Sequence, residues 1–159
     1  MNHHLTFIRL TKALQQPFIT FLEQLSDRGD KDFFHPHGFD EASAAKVVTE
    51  SEKSTDEYWV CIINNEIAAY GMLRGWAEGF DIPSLGIATA PKHRGRGHGK
   101  QMMAHLHTIA RSRGATKVRL KVDKLNFVAK SLYEKLGYKF EVYSQTEFIG
   151  FLQLDDLIS

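Results

Sequence analysis

Hydrophobic positions along this chain fall into short blocks of period two and longer blocks of period near 3.6, and their order predicts the elements. Phe7-Ile8-Arg9-Leu10 reads as a strand. Leu14, Phe18, Ile19, Phe21, Leu22 and Leu25 then recur at helical spacing, with Pro17 predicting a break or restart. Asp27 to Asp40 carries two glycines, Pro36 and mixed charge and reads as a loop, whereas Glu41 to Glu50, with Ala44, Ala45, Val47 and Val48, reads as a second helix. Tyr58 to Ile63 and Glu66 to Leu73 are β-rich runs around Asn64-Asn65, the pattern of a hairpin.

The second half repeats the alternation. Leu85 to Ala90 is a strand ended by Pro91, and Gln101 to Arg113 is a helix with Met102, Leu106, Ile109 and Ala110 on one stripe. Thr116 to Val122 alternates as a strand, Phe127 to Leu136 is a helix stopped by Gly137, and Lys139 to Tyr143 with Glu147 to Leu154 form a closing strand pair. The order βααβββαβαββ, with no repeat, linker or low-complexity segment, predicts one mixed α/β (α+β) layer structure, a single domain over residues 1–159.

Composition narrows the function classes. At 43% hydrophobic and 25% charged the chain has ordinary globular composition. A formal net charge of +1 gives no global field to recruit nucleic acid or an anionic membrane, so any anion site must be local. Cys61 is the single cysteine, which excludes an intrachain disulfide and a thiolate metal cluster and fits a reducing cytoplasm. The N-terminus lacks the pattern of a signal peptide and no stretch approaches a membrane span, so neither secretion nor spanning is expected. His3-His4 is too little for a metal site and carries no functional weight.

One segment concentrates charge. Lys92, Arg94, Arg96 and Lys100 surround Gly95, Gly97 and Gly99 with no acid among them. Glycines let successive backbone amides turn toward a phosphate, and the helix that follows offers its unpaired first-turn amides to the same anion. Taken alone, the loop also reads as a solvated turn or an arginine-glycine segment touching RNA. It lacks the closing Gly-Lys-Ser/Thr of a P-loop and the glycine order of a dinucleotide fingerprint. An RNA-binding reading lacks a broad basic surface and a stacking platform.

The run Ile87-Ala88-Thr89-Ala90-Pro91-Lys92-His93-Arg94-Gly95-Arg96-Gly97-His98-Gly99 resembles the central motif of the GNAT superfamily of acyl-CoA-dependent N-acetyltransferases, Arg/Gln-x-x-Gly-x-Gly/Ala, with Arg94, Gly97 and Gly99 in the fixed places. Asn126, Ala129, Leu132-Tyr133, Gly137 and Tyr138 resemble that family's second motif in the right order. The resemblance covers roughly Tyr58 to Leu154. It implies a central, mostly antiparallel mixed sheet, with helices on both faces, splayed at a bulge where acetyl-CoA binds. It also implies that Ile87, Ala88 and Thr89 pair with the pantetheine arm, that amides of Arg94, Gly95, Arg96, Gly97, His98 and Gly99 meet the pyrophosphate, and that Asn126 contacts the cofactor arm or fixes the adjoining strand. Asn126 reads equally as a helix cap. Tyr133 is implied as the phenol that protonates the departing thiolate, against a packing role in the core.

Direct transfer needs no metal. A thiol near pKa 8.5 facing a phenol near 10 leaves the proton transfer uphill by roughly 2 kcal/mol. The base that frees the amine is open among Glu78, Asp81, His35, His37 and water, or the amine loses its proton before binding. Some relatives that acetylate protein N-termini carry a glutamate five residues before the asparagine, and here that position is Lys121. Phe33, Phe34, His35, His37 and Trp76 are candidates to line the acceptor site. The expectation is a small-molecule amine acceptor, such as an amino sugar, with a protein amine or a non-catalytic CoA-binding regulatory module as alternatives. No nucleic acid or membrane partner is expected, and relatives suggest a homodimer.

Overall fold

The computed structural model describes residues 5–27 and 36–154. Phe33, Phe34, His35 and the His3-His4 pair lie outside those residues. Seven strands, β1 (Thr6–Arg9), β2 (Glu57–Ile63), β3 (Glu66–Arg74), β4 (Ser84–Thr89), β5 (Lys117–Asp123), β6 (Lys139–Val142) and β7 (Glu147–Gln153), form one sheet in the order 1-2-3-4-5-7-6. Among the described residues four α-helices accompany them: α1 (Gln15–Asp27), α2 (Glu41–Lys53), α3 (His98–Ser112) and α4 (Phe127–Lys135). All strand pairs are antiparallel except β4 with β5. This is the mixed, mostly antiparallel α/β architecture expected from the sequence.

Local chemistry explains most boundaries. Asn64 and Asn65 both adopt left-handed backbone, φ 51° and 66°, as a two-residue hairpin turn requires. Asp40 caps α2, its Oδ1 accepting from Ser43 N at 2.8 Å, and the Ser43 side chain first, then this backbone bond, hold its carboxyl below the usual range. The expected break at Pro17 does not occur. Proline is the third residue of α1, behind a 3-10 turn at Lys12–Leu14, where its missing N–H has no intrahelical partner to lose.

Alternation of side chains divides the core. Tyr58, Val60, Tyr70 and Met72 face α1 and α2, packing on Phe18, Phe21, Leu22, Val47 and Val48. Cys61, Ala69, Leu73 and Leu85 face α3, on Met102, Met103, Leu106 and Ala110. Gly71 permits the close approach of α3. A Cβ there would lie 2.7 Å from both Leu106 Cδ1 and Met102 Cγ, so Gly71→Ala forces these two packed side chains to shift. We expect a loss of about 1–3 kcal/mol, read as a lower denaturation midpoint in urea with unchanged slope.

The sheet opens between β4 and β5. Their one registered pair is Ser84↔Arg119, with Arg119 N donating to Pro83 O at 3.0 Å. Beyond it β4 stays in unbroken register with β3 as far as Ala69↔Thr89, and β5 with β7 as far as Asp123↔Glu147. The two antiparallel halves therefore diverge from a single registered pair. The bulge expected at this point is not in β4; the register shift lies at Cys61/Ile62, between β2 and β3.

Candidate active site

The opening exposes one side of β4 at Ile87, Ala88 and Thr89, all half-buried. Ile87 packs toward α3 and Ala88 toward α1 and α2, so the strand is clamped from both faces while the backbone edge toward β5 has no registered partner there. A 3-10 turn at Pro91–His93 then leads into Arg94, Gly95, Arg96 and Gly97, all exposed. Gly95 and Gly97 sit at φ 75° and 81° with no atom within 4 Å of a Cβ, so their backbone conformation, not crowding, is what requires glycine. Gly97 caps α3 without a side-chain acceptor, which leaves the first-turn amides of the helix open beside the exposed Lys100. Gly99 lies against the strand, where a Cβ would meet Thr89 Oγ1 at 3.2 Å.

His98 is buried rather than turned to solvent, and its ring meets that of His93 at 5.9 Å. Each leaves Nδ1 buried with no hydrogen-bond partner. Burial, and then the neighbouring His93, hold His98 below the ordinary histidine pKa. Lys92 pairs with Glu66, which also approaches His93 Nε2 at 3.5 Å. Lys92 is therefore drawn onto β3.

Across the opening, Asn126 caps α4, its Oδ1 accepting from Ala129 N at 3.4 Å, so the helix-cap reading is realised. Tyr133 borders the same core cluster as Ile87. Its hydroxyl has no hydrogen-bond partner among the described residues, and burial pushes the phenol up to about 12.

The candidate bases fare differently. His37 donates from Nδ1 to Gly38 O at 2.8 Å and meets Tyr70 Oη through Nε2 at 3.0 Å, and burial lowers its pKa. Both ring nitrogens are engaged, which suits a structural histidine. Glu78 and Asp81 are exposed. Trp76 lies under the Arg113 guanidinium, 3.6 Å from ring centre to Cζ, and packs on the α3 side of the sheet, away from α1 and α2.

Two features were not singled out from the sequence. Tyr138 Oη lies 2.7 Å from His107 Nε2, tying the end of α4 to α3, and the Tyr138 ring packs 6.0 Å from that of Tyr133. The signal available was a histidine on the apolar stripe Met103, Leu106, Ala110. Arg119, at the vertex of the opening, had no such signal.

Among the described residues no cluster of three or more side chains could hold a metal, and no helix is long and apolar enough to cross a membrane. The model of the acetyltransferase (GNAT) family matches residues 19–138. A streptothricin acetyltransferase of Streptomyces lavendulae is 41% identical over 54 residues, 34% of this chain and 29% of that protein, so the match spans under a third of the relative. The fold is shared with a PaiA N-acetyltransferase of Thermoplasma acidophilum in complex with coenzyme A (TM-score 0.78, 16% identity, 94% of this chain and 99% of that one). It is shared too with the ribosomal-protein-S18-alanine N-acetyltransferase of Escherichia coli (TM-score 0.72, 18% identity, 95% and 94%).

Proposed function

Because the chain belongs to the acetyltransferase (GNAT) family, we propose that it binds acetyl-CoA in the opening between β4 and β5 and transfers the acetyl group to a primary amine of a small molecule. The observation that carries this reading is the coincidence of an unpaired strand edge, two positive-φ glycines and an uncapped basic helix start within one stretch, Ile87 to Lys100. An extended amide-bearing arm suits the strand edge, and a diphosphate suits the loop. Ile87, Ala88 and Thr89 would hold the arm; the amides of Arg94 to Gly99, with the Arg94 and Arg96 side chains, would hold the phosphates.

Acetyl-CoA supplies an activated thioester. The neutral amine adds to the carbonyl carbon, the C–S bond breaks with its electron pair on sulfur, Tyr133 Oη delivers a proton to that sulfur, and the amine's surplus proton leaves to water. The phenol is recovered from solvent. Its raised pKa keeps Tyr133 protonated through the whole working range.

A relative named for streptothricin supports a small-molecule acceptor. The second reading, a protein amine, is favoured by the fold shared with a ribosomal-protein alanine acetyltransferase, but Lys121 stands where such relatives carry glutamate. The deciding experiment follows thiol release from acetyl-CoA with a panel of small amines and with alanine-initiated peptides. Turnover of small amines alone supports the first reading; turnover of the peptides alone replaces it.

Gly95→Ala with Gly97→Ala isolates the loop. Each alanine meets a left-handed backbone costing about 1–2 kcal/mol, and an exposed loop relaxes out of it when free. The acetyl-CoA Kd measured by calorimetry should therefore rise about 30-fold or more while the melting temperature holds.

A further inference from the structure

We infer that the acceptor carries an acidic group beside its amine, a carboxylate or phosphate received by Arg119 and Lys121. This rests on the reading of the chain as an acetyl-CoA-dependent amine acetyltransferase. The two faces of the opening differ. The loop Arg94–Gly97 opens α3, and α3 and Tyr133 both border the core cluster on one face of the sheet, so the donor and its leaving sulfur belong to that face. The opposite face of the parted strands is left to the amine.

Two strand pairings define what lines it. Arg74 pairs with Ser84 across β3 and β4, and Ser84 with Arg119 across β4 and β5, so the three residues lie in one row on the face of Tyr70 and Met72. Arg119 Nε donates to Ser84 Oγ at 2.7 Å, which fixes the guanidinium on that face. Alternation along β5 places Lys121 on the same face one step into the opening, its Nζ 3.9 Å from the centre of the exposed Tyr143 ring. Val118, Leu120 and Val122 point the other way, into the core.

By register Asp123, Glu147 and Glu141 share this face, but among the described residues none of them forms an ion pair with either cation. Arg9 and Arg113 share Glu57, Lys92 takes Glu66 and Lys130 takes Glu134, but neither Arg119 nor Lys121 forms an ion pair among the described residues. Asp123, next on that face of β5, accepts from Leu125 N and turns into the β5–α4 turn. Arg119 is only partly exposed, its Cζ 5.9 Å from the Phe80 ring centre, and its terminal nitrogens make no hydrogen bond among the described residues; a planar guanidinium held at Nε can receive a carboxylate or phosphate through two parallel bonds. A cationic acceptor would meet like charge at this point.

The test compares matched amines in thiol release from acetyl-CoA: glucosamine 6-phosphate with glucosamine, and β-alanine with propylamine, with spermidine as the cationic probe. The acidic member of at least one pair should be favoured about 10- to 100-fold in kcat/KM. Arg119→Ala should erase that preference with the acetyl-CoA KM unchanged. Lys121→Glu, at an exposed position that leaves folding intact, should reduce it and raise the rate with spermidine. Neutral partners matching or exceeding both acidic ones, or a preference that survives both substitutions, overturns the inference and leaves amine acetylation standing. No turnover of any amine in this set or the earlier panel overturns the reading beneath it as well.

Discussion

Tyr133→Phe lowers kcat by about 10²- to 10⁴-fold and leaves the acetyl-CoA Kd unchanged, the range general acid catalysis ordinarily supplies. Phenylalanine keeps the ring against Tyr138, so the substitution removes a proton and little packing. The size of the loss follows from the sulfur's need. A phenol near 12 facing a thiol at its ordinary 8.5 would make proton delivery uphill by about 5 kcal/mol. The leaving sulfur, however, departs in the same low-dielectric surroundings, which raise a thiol as they raise a phenol. Cys61 shows the scale within this fold, its buried thiol pushed up to about 11. With the sulfur raised as far as Cys61 the gap closes to about 1–2 kcal/mol, and without the phenol the thiolate leaves unprotonated. Steady-state rates with a saturating amine, beside calorimetric binding of acetyl-CoA, separate the two constants. Equal kcat in the variant would remove Tyr133 from the chemistry.

Acidification from pH 7 to 5 destabilises the fold by about 2 kcal/mol through His107 alone. Burial first, and then the nearby Arg111, lower this histidine to about 4 from an ordinary 6.5. The folded state therefore binds the proton less well than the unfolded one. Stability from the neutral ring is complete above about pH 6.5 and is lost progressively as pH falls toward 4. The neutral ring is also the form that accepts from Tyr138, whose hydroxyl has no other partner among the described residues. His37, His98 and His105 are lowered in the same direction, again by burial first, and steepen the slope. The melting temperature should fall by about 4–8 °C or more between pH 7 and 5. His107→Gln, which keeps an acceptor for Tyr138 and cannot titrate, should flatten the curve. A pH-independent melting temperature, or a slope unchanged by the substitution, contradicts this assignment.

Much of this was legible in the sequence because it depends on local chemistry. The Asn64-Asn65 turn, the Asp40 cap and the glycine loop before α3 are written in residues within a few positions of one another. Pro17 misled because the same ring that breaks a helix interior is harmless in its first turn, and where the turn falls depends on the preceding 3-10 segment. Other features are tertiary and had no local signature. The Tyr138–His107 bond joins residues 31 apart. The face shared by Arg74, Ser84 and Arg119 depends on two strand registers, one of them a single pair. The parting of β4 from β5 needed no bulge because each strand is held by a different antiparallel neighbour.

The central claim is that the loop after β4 holds the phosphates of acetyl-CoA. Thermal melting of the purified protein with acetyl-CoA, free CoA or ATP tests it most directly. Ligand at about 100 times its Kd stabilises the fold by roughly 2.7 kcal/mol, a rise of about 5–10 °C for a chain of this size. The account predicts that rise with acetyl-CoA and CoA and little with ATP, and its loss in the Gly95→Ala, Gly97→Ala variant. No shift with acetyl-CoA or CoA at millimolar concentration would contradict it.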